Sequence, residues 1–158
     1  MNRAQWILIA WFAASFYNVG TIWMTQFGWR LWTYVAPSDF ERYHLAWWAM
    51  IKPVIFPVAA IAFFGSIAML WWRPAGVSAA ALWVNFALQI STYATTAAFW
   101  GRWQAQTHFA LMPDGSIDPM YTLAMHTHWI RGAIITVNGL VVFWMMVENM
   151  ARTAQASS

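Results

Sequence analysis

Cysteine is absent from the 158 residues. Its absence removes disulfides, thiolate nucleophiles, Cys-ligated zinc and iron–sulfur clusters from the possible chemistry, and it leaves the redox compartment unread. Charge is almost as scarce: Asp, Glu, Lys and Arg make up 8% of the chain, against about 25% in an ordinary soluble domain. The eight basic residues are scattered, so no stripe exists that could follow a phosphate backbone, and nucleic acid is set aside as a partner. No glycine-rich phosphate loop, nucleophile elbow or close carboxylate pair is present, which disfavours nucleotide-dependent and hydrolytic chemistry. The apolar runs do not alternate with polar residues, so a membrane β-barrel is excluded as well.

What the chain has instead is apolar mass. Hydrophobic residues reach 61%, with fourteen Trp, eleven Phe and ten Met. Trp favours the membrane interface, where the ring is buried and its N–H stays wet. Four continuous apolar segments run from about Trp6 to Phe27, Trp47 to Trp72, Val77 to Trp100 and Trp129 to Val147. Each is close to the roughly 20 residues that a helix needs to cross the hydrocarbon. The expected fold is all-α, a single-domain integral membrane four-helix bundle whose principal partner is the lipid bilayer. Met1-Asn2-Arg3 and the apolar run behind it have the outline of a signal peptide, but the run extends to about Met24, long enough for a retained first helix.

The connections are unequal. Arg73-Pro74-Ala75-Gly76 is a tight turn, whereas Gly28 to Ala46 and Gly101 to His128 are long, polar and aromatic. Four crossings put both long connections on one membrane face, together with all four histidines. That face carries Arg30, Arg42, Lys52, Arg102 and Arg131, against Arg3, Arg73 and Arg152 on the terminal side. The loop-side bases are interleaved with acids, so the termini are expected in the cytoplasm of a bacterial inner membrane, although the bare count of Lys and Arg points the other way.

Polar residues recur at helical spacing inside the spans. Asn85, Gln89, Thr92 and Thr96 line one face of the third segment, and His128, Arg131 and Asn138 one face of the fourth. Segment one adds Asn18, Thr21 and Thr25, with Gln26 and Arg30 on a neighbouring face. Such lines turn inward in lipid, either as hydrogen-bonding contacts between helices or as the wall of a site. A guanidinium at the position of Arg131 is expected to snorkel to the interface or to meet an acid, for which Asp39, Glu41, Asp114 and Asp118 are the candidates. Pro53 and Pro57 predict a kinked or partly unwound start to the second span, while Gly65 and Ser66 predict a close helix contact.

His126 and His128 are two residues apart, which on a helix separates them by about 200° and prevents a shared ion. His128 and Arg131 are expected to point into the bundle mouth towards His44, with His126 facing elsewhere. A metal or haem site is open to His44, His108 and His128 drawn from three segments. A hydrophobic aromatic ligand such as a quinone also suits the indoles near the loop face, Trp29, Trp32, Trp47, Trp48 and Trp100 among them. The candidate ligand-binding set is therefore His44, His128, Arg131, Asn138, Gln89 and Arg30.

Several short motifs carry a resemblance. Gln26, Trp32 and Tyr34, then Phe40-Glu41-Arg42-Tyr43-His44, Ile51-Lys52-Pro53-Val54-Ile55-Phe56-Pro57 and His128-Trp129-Ile130-Arg131 resemble a group of small four-span bacterial membrane proteins of unknown function. In that group a Tyr-His pair precedes span two and Asn-Trp-Ile-Arg opens span four. Here His128 replaces the Asn, and Trp100-Gly101-Arg102-Trp103-Gln104 stands where a Pro-containing element with His is usual. The fourth-span Trp and Arg give a more distant likeness to anthrone-oxygenase-like four-span proteins. The resemblance implies the fold and draws attention to His44 and Arg131, without supplying a reaction. Two function classes follow. One is a non-catalytic accessory or hydrophobic-ligand-binding protein, packed against membrane protein partners or a second copy of itself. The other is a small membrane oxidoreductase using a His-ligated metal, a haem or a quinone-like substrate.

Overall fold

Polar caps at Asn2, Ser78 and Asp118 mark the starts of three helices, and Pro37 marks the start of a fourth. The computed structural model describes residues 2–74 and 76–156. Helix α1, Arg3–Arg30, opens on a capping box in which Asn2 accepts from the Gln5 amide at 3.0 Å and Gln5 accepts from the Asn2 amide at 2.8 Å. A 3-10 turn over Leu31–Tyr34 follows, and α2 spans Pro37–Trp71 with Pro37 at its first position and Asp39 in its first turn. Helix α3, Ala79–Thr95, is capped by the Ser78 hydroxyl. A π turn over Thr96–Trp100 carries it without interruption into α4, Gly101–Gln106. Helix α5, Pro119–Ala156, begins where the Asp118 carboxylate accepts the Tyr121 amide at 2.8 Å.

These caps correct the expected boundaries. The connection read from Gly28 to Ala46 is nearly all helical, since α2 begins ten residues before Trp47. The second long connection shortens to residues 107–118, because α5 starts at Pro119 and not near Trp129. Charged and amide side chains lower hydropathy without opposing a helix, so a span and the helix that contains it have different ends. In the remaining loop, Leu111 and Ile117 form an isolated antiparallel bridge and Gly115 takes a φ of 84°. There Ser116 donates its hydroxyl and amide to Asp114, holding that carboxyl below its ordinary value. Pro53 and Pro57 lie inside α2, whose helical course continues past both.

Three helices, those containing Arg3–Tyr34, Pro37–Trp71 and Pro119–Gln155, are long and apolar enough to cross a membrane. Helix α3 has 17 residues, and the five of the π turn bring it to 22, or about 33 Å at roughly 1.5 Å per residue. Large apolar side chains face outward: Phe64, Trp83 and Leu140 are each more than half exposed, a surface suited to lipid and foreign to a soluble monomer. The chain is a membrane protein.

The helices form a ring in the order α1, α2, α3, α5, each packed on its two neighbours and antiparallel to both. The polar pairs fix that direction, from Gln5 with Thr153 at one end to Gln26 with Met125 at the other. Near the termini the ring encloses an apolar core of Leu8, Trp11, Met69, Leu82, Val142 and Met145. Trp11 fills the space left by Gly65, where a Cβ would lie 2.6 Å from the indole, and donates to the Ala62 carbonyl at 2.9 Å. This is the close contact expected at Gly65. The short turn closes under α5, with Gly76 at a φ of 92° against Arg152, and Arg3 lies 5.1 Å from the Trp72 ring.

Candidate functional site

Halfway along the bundle the core changes from apolar to polar. Asn85 and Asn138 clasp each other's backbone: Asn85 Nδ2 donates to the Asn138 carbonyl at 3.3 Å, and Asn138 Nδ2 to the Asn85 carbonyl at 3.1 Å. Gln89 donates to Asn138 Oδ1 at 3.2 Å. These amides lock α3 to α5, each bond being worth about 0.6–2 kcal/mol in a membrane interior. Two members of the candidate set, Gln89 and Asn138, therefore act between helices and also face what lies beyond them.

Beyond them is a cavity of about 160 Å³, against the ~10–15 Å³ that one water needs. Its wall is built from the polar lines read in the sequence. Helix α1 brings Ser15, Asn18 and Thr21, α3 brings Gln89, Thr92 and Tyr93, and α5 brings Arg131 and Asn138. Thr21 and Thr92 return their hydroxyls to carbonyls of their own helices, and Tyr93 donates to the Ala59 carbonyl of α2 at 2.8 Å. Helix α2 supplies only apolar side chains, Ile55, Phe56 and Ala59.

Arg131 is the one cation in this wall. Its Nε is fully enclosed and has no hydrogen-bond partner, and the Ser15 hydroxyl is equally without one. The guanidinium carbon lies 6.0 Å from the Trp100 ring, the outer limit of a cation–π contact. None of the four expected acids meets it. Asp39 and Glu41 lie exposed on the first turns of α2, Asp114 is tied to Ser116, and Asp118 caps α5. The expected acid–Arg131 pair is replaced by a cation that faces an open volume. The π turn shapes this corner, carrying Trp100 to Arg131 and setting its Nε1 3.0 Å from the Thr127 hydroxyl.

His128 sits one turn above, completely buried. Its Nδ1 lies 2.5 Å from Gln26 Oε1, while Gln26 Nε2 donates to the Met125 carbonyl at 3.4 Å. With Nε2 of the amide committed as a donor, Oε1 accepts, which assigns the proton of His128 to Nδ1. The imidazole is 4.5 Å from the Trp29 ring, Trp29 is 5.4 Å from Trp32, and Trp32 is 5.0 Å from His44. Two indoles thus stand between the histidines that were expected to converge. His44 Nε2 accepts from Trp48 at 2.9 Å. Trp29 and Trp32 belong to an aromatic cap with Phe40 and Tyr121, whose hydroxyl donates to the Trp29 carbonyl at 2.8 Å.

The other candidates lie outside the cavity. Arg30 and His126 are exposed and share a surface groove with Tyr121 and Thr33, and His108 is exposed at the start of the 107–118 loop. Among the described residues no three His, Cys, Asp or Glu side chains are placed to hold a metal ion together, so the set of His44, His108 and His128 is not assembled. Of the ligand-binding set, Arg131, Asn138 and Gln89 meet in one wall, while His44, His128 and Arg30 do not reach it.

Sequence reasoning missed Ser15 and Tyr93, which line the cavity, and Gly132 and Gly139, which let α1 approach α5. A Cβ on Gly139 would lie 2.8 Å from Val19, and one on Gly132 3.2 Å from Trp23; between them Thr136 accepts from Trp23 at 2.9 Å. The signal was there as small residues at 132, 136 and 139, one face of one helix. Tyr93 had a signal too, since Gln89, Thr92, Tyr93 and Thr96 follow the i, i+3, i+4, i+7 spacing of one helical face. Set against known protein-family models, curated proteins and solved structures, the chain matches none.

Proposed function

We propose that the chain is a membrane-embedded binding protein for a small hydrophobic molecule with at least one hydrogen-bonding oxygen, held in the cavity beside Arg131. The observation that carries this reading is a single cation, Arg131, in the wall of a largely apolar cavity, with no acid beside it and an enclosed Nε that has no partner. A cation at bilayer depth costs about 2.5 kcal/mol or more when uncompensated, so its place in the wall fits a group whose partner is a ligand. The oxidoreductase alternative in its metal or haem form needs converging histidines, and Trp29 and Trp32 stand between His44 and His128. An accessory role remains compatible, since the apolar exterior suits membrane partners or a second copy as well as lipid.

The same proposal includes the setting. The protein belongs in the inner membrane of a bacterium, with the architecture of the four-span proteins whose Tyr-His and Trp-Ile-Arg elements it carries. Its termini are cytoplasmic, where Arg3, Arg73 and Arg152 flank the spans closely; on the opposing face Arg131 lies inside the bundle, and Arg30, Arg42, Lys52 and Arg102 are interleaved with Asp39, Glu41, Asp114 and Asp118. A reporter fused after Ser158 that is active only outside the cytoplasm should stay silent; activity there reverses the orientation.

The binding reading is tested with Ser15→Leu, which fills the cavity and removes an unpartnered hydroxyl. Native mass spectrometry of the wild type should find a small molecule retained at one per chain, or thermal unfolding should shift with at least one of a fatty acid, a fatty alcohol or a quinone. The variant should remain folded and lose both responses. A wild type that retains nothing and shifts with none of the three ends the proposal.

A further inference from the structure

The polar cavity does not end at the α2–α3 seam. On the outer side of that seam lies a groove of about 490 Å³, lined by Phe56, Phe63, Phe64, Ile90 and Tyr93 with alanines between them. Phe56, Ala59 and Tyr93 belong to both walls. The partition between them is the Tyr93 hydroxyl on the Ala59 carbonyl. The groove offers almost no polar surface, and it opens on the lipid-facing side, where Phe64 is 64% and Phe56 57% exposed.

From this continuity we infer that the ligand is a single-chain amphiphile with a carboxylate head, seated with the head at Arg131 and the hydrocarbon chain passing beside Tyr93 into the α2–α3 groove. The inference rests on the binding reading above and names its ligand class. Three features select that class. The cavity holds one cation and no acid, which matches a single negative charge. A guanidinium presents a planar fork of donors, the complement of a carboxylate. The volume on the inner side suits a carboxylate and the first few methylenes but not a glycerophosphate head, while the groove outside accepts a flexible chain.

Entry then runs sideways from the bilayer. The amphiphile is already dissolved in the leaflet, and the partition it must pass is a single hydrogen bond from a hydroxyl at the end of a side chain. Tyr93 positions this seam and does not supply the charge that holds the head.

The experiment uses the full chain in phosphatidylcholine nanodiscs with a photoreactive C16 fatty acid carrying a mid-chain diazirine, beside its methyl ester. Cross-linked peptides are identified by mass spectrometry. The acid should label the segments holding Phe63, Phe64 and Ile90, and unlabelled palmitate should compete it away. Arg131→Gln should reduce the saturable labelling about tenfold, the ratio that corresponds to ~1.4 kcal/mol, and Arg131→Lys should restore part of it. Tyr93→Phe should label at the same sites with faster uptake. A thermal melt of each variant separates loss of the site from loss of the fold. If the methyl ester labels the groove as saturably as the acid, the head charge is not read and the carboxylate assignment is overturned while binding in the cavity stands. Labelling that is unsaturable and spread over every lipid-facing helix overturns the groove. Absence of any retained molecule in the native spectra and of any thermal shift would instead remove the binding reading beneath it.

Discussion

The two halves of the bundle use the same four helices to opposite ends. Near the termini Leu8, Trp11, Met69, Leu82, Val142 and Met145 are each at most 2% exposed, and an indole occupies the space that Gly65 leaves open. Towards the loops the helices hold a polar volume of about 160 Å³ with a cation in its wall. Membrane helices gain nothing from excluding water from one another, so their association rests on close packing and on hydrogen bonds between them. The packed half and the amide clasp at Asn85 and Asn138 fix the positions of the helices. The other half can then keep a gap and an unpaired charge that would otherwise loosen it.

That contrast makes predictions of opposite sign. Trp11→Ala should have the largest effect, a loss of about 3–5 kcal/mol from the emptied volume, read as a lower midpoint when the protein in mixed micelles is titrated with dodecyl sulfate. Arg131→Met should move the midpoint the other way, by about 2.5 kcal/mol of stabilisation, while removing ligand retention. A destabilisation of that size would make Arg131 a structural residue and dissolve the contrast. Asn138→Leu lies at the boundary between the halves and should lose about 1 kcal/mol, with cavity binding weakened because Gln89 loses its acceptor. If Asn138→Leu instead costs as much as Trp11→Ala, the clasp and the apolar core are one cooperative unit.

Much of this was legible from residue order alone. Continuous apolar runs identified four helices, three of them long and apolar enough to span, and the stripe Asn85, Gln89 and Thr92 identified the buried face of α3. What hydropathy could not mark was where helices begin, since a bilayer scale measures lipid compatibility. Pro37 with Asp39, and Asp118 with Pro119, were helix-start signals sitting inside what looked like loops. The site was half legible. Arg131 stood out by its charge, but the acids assigned to it are consumed by caps and turns, and only three-dimensional placement could show that none was left. His44 and His128 attracted attention as chemistry, and the structure sets both against the indoles that separate them. Tyr93 was within reach of periodicity, four residues from Gln89 and three from Thr96, but residue order could not show its hydroxyl reaching back to α2.

The π turn between α3 and α4 has a consequence of phase. Its closing bond runs from the Gly101 amide to the Thr96 carbonyl, five residues apart where an α-helix uses four, so the backbone carries one residue more than its axis needs. Every side chain beyond it is rotated by about 100° relative to an uninterrupted helix. Ahead of the turn the helix presents Gln89 and Thr92 to the cavity; Trp100, the last residue of the turn, meets Thr127 and Arg131 of α5. The surplus residue shifts the phase of α4, which packs on α5 as α3 does. The length of this segment is therefore as much a part of the site as the identity of the residues in it.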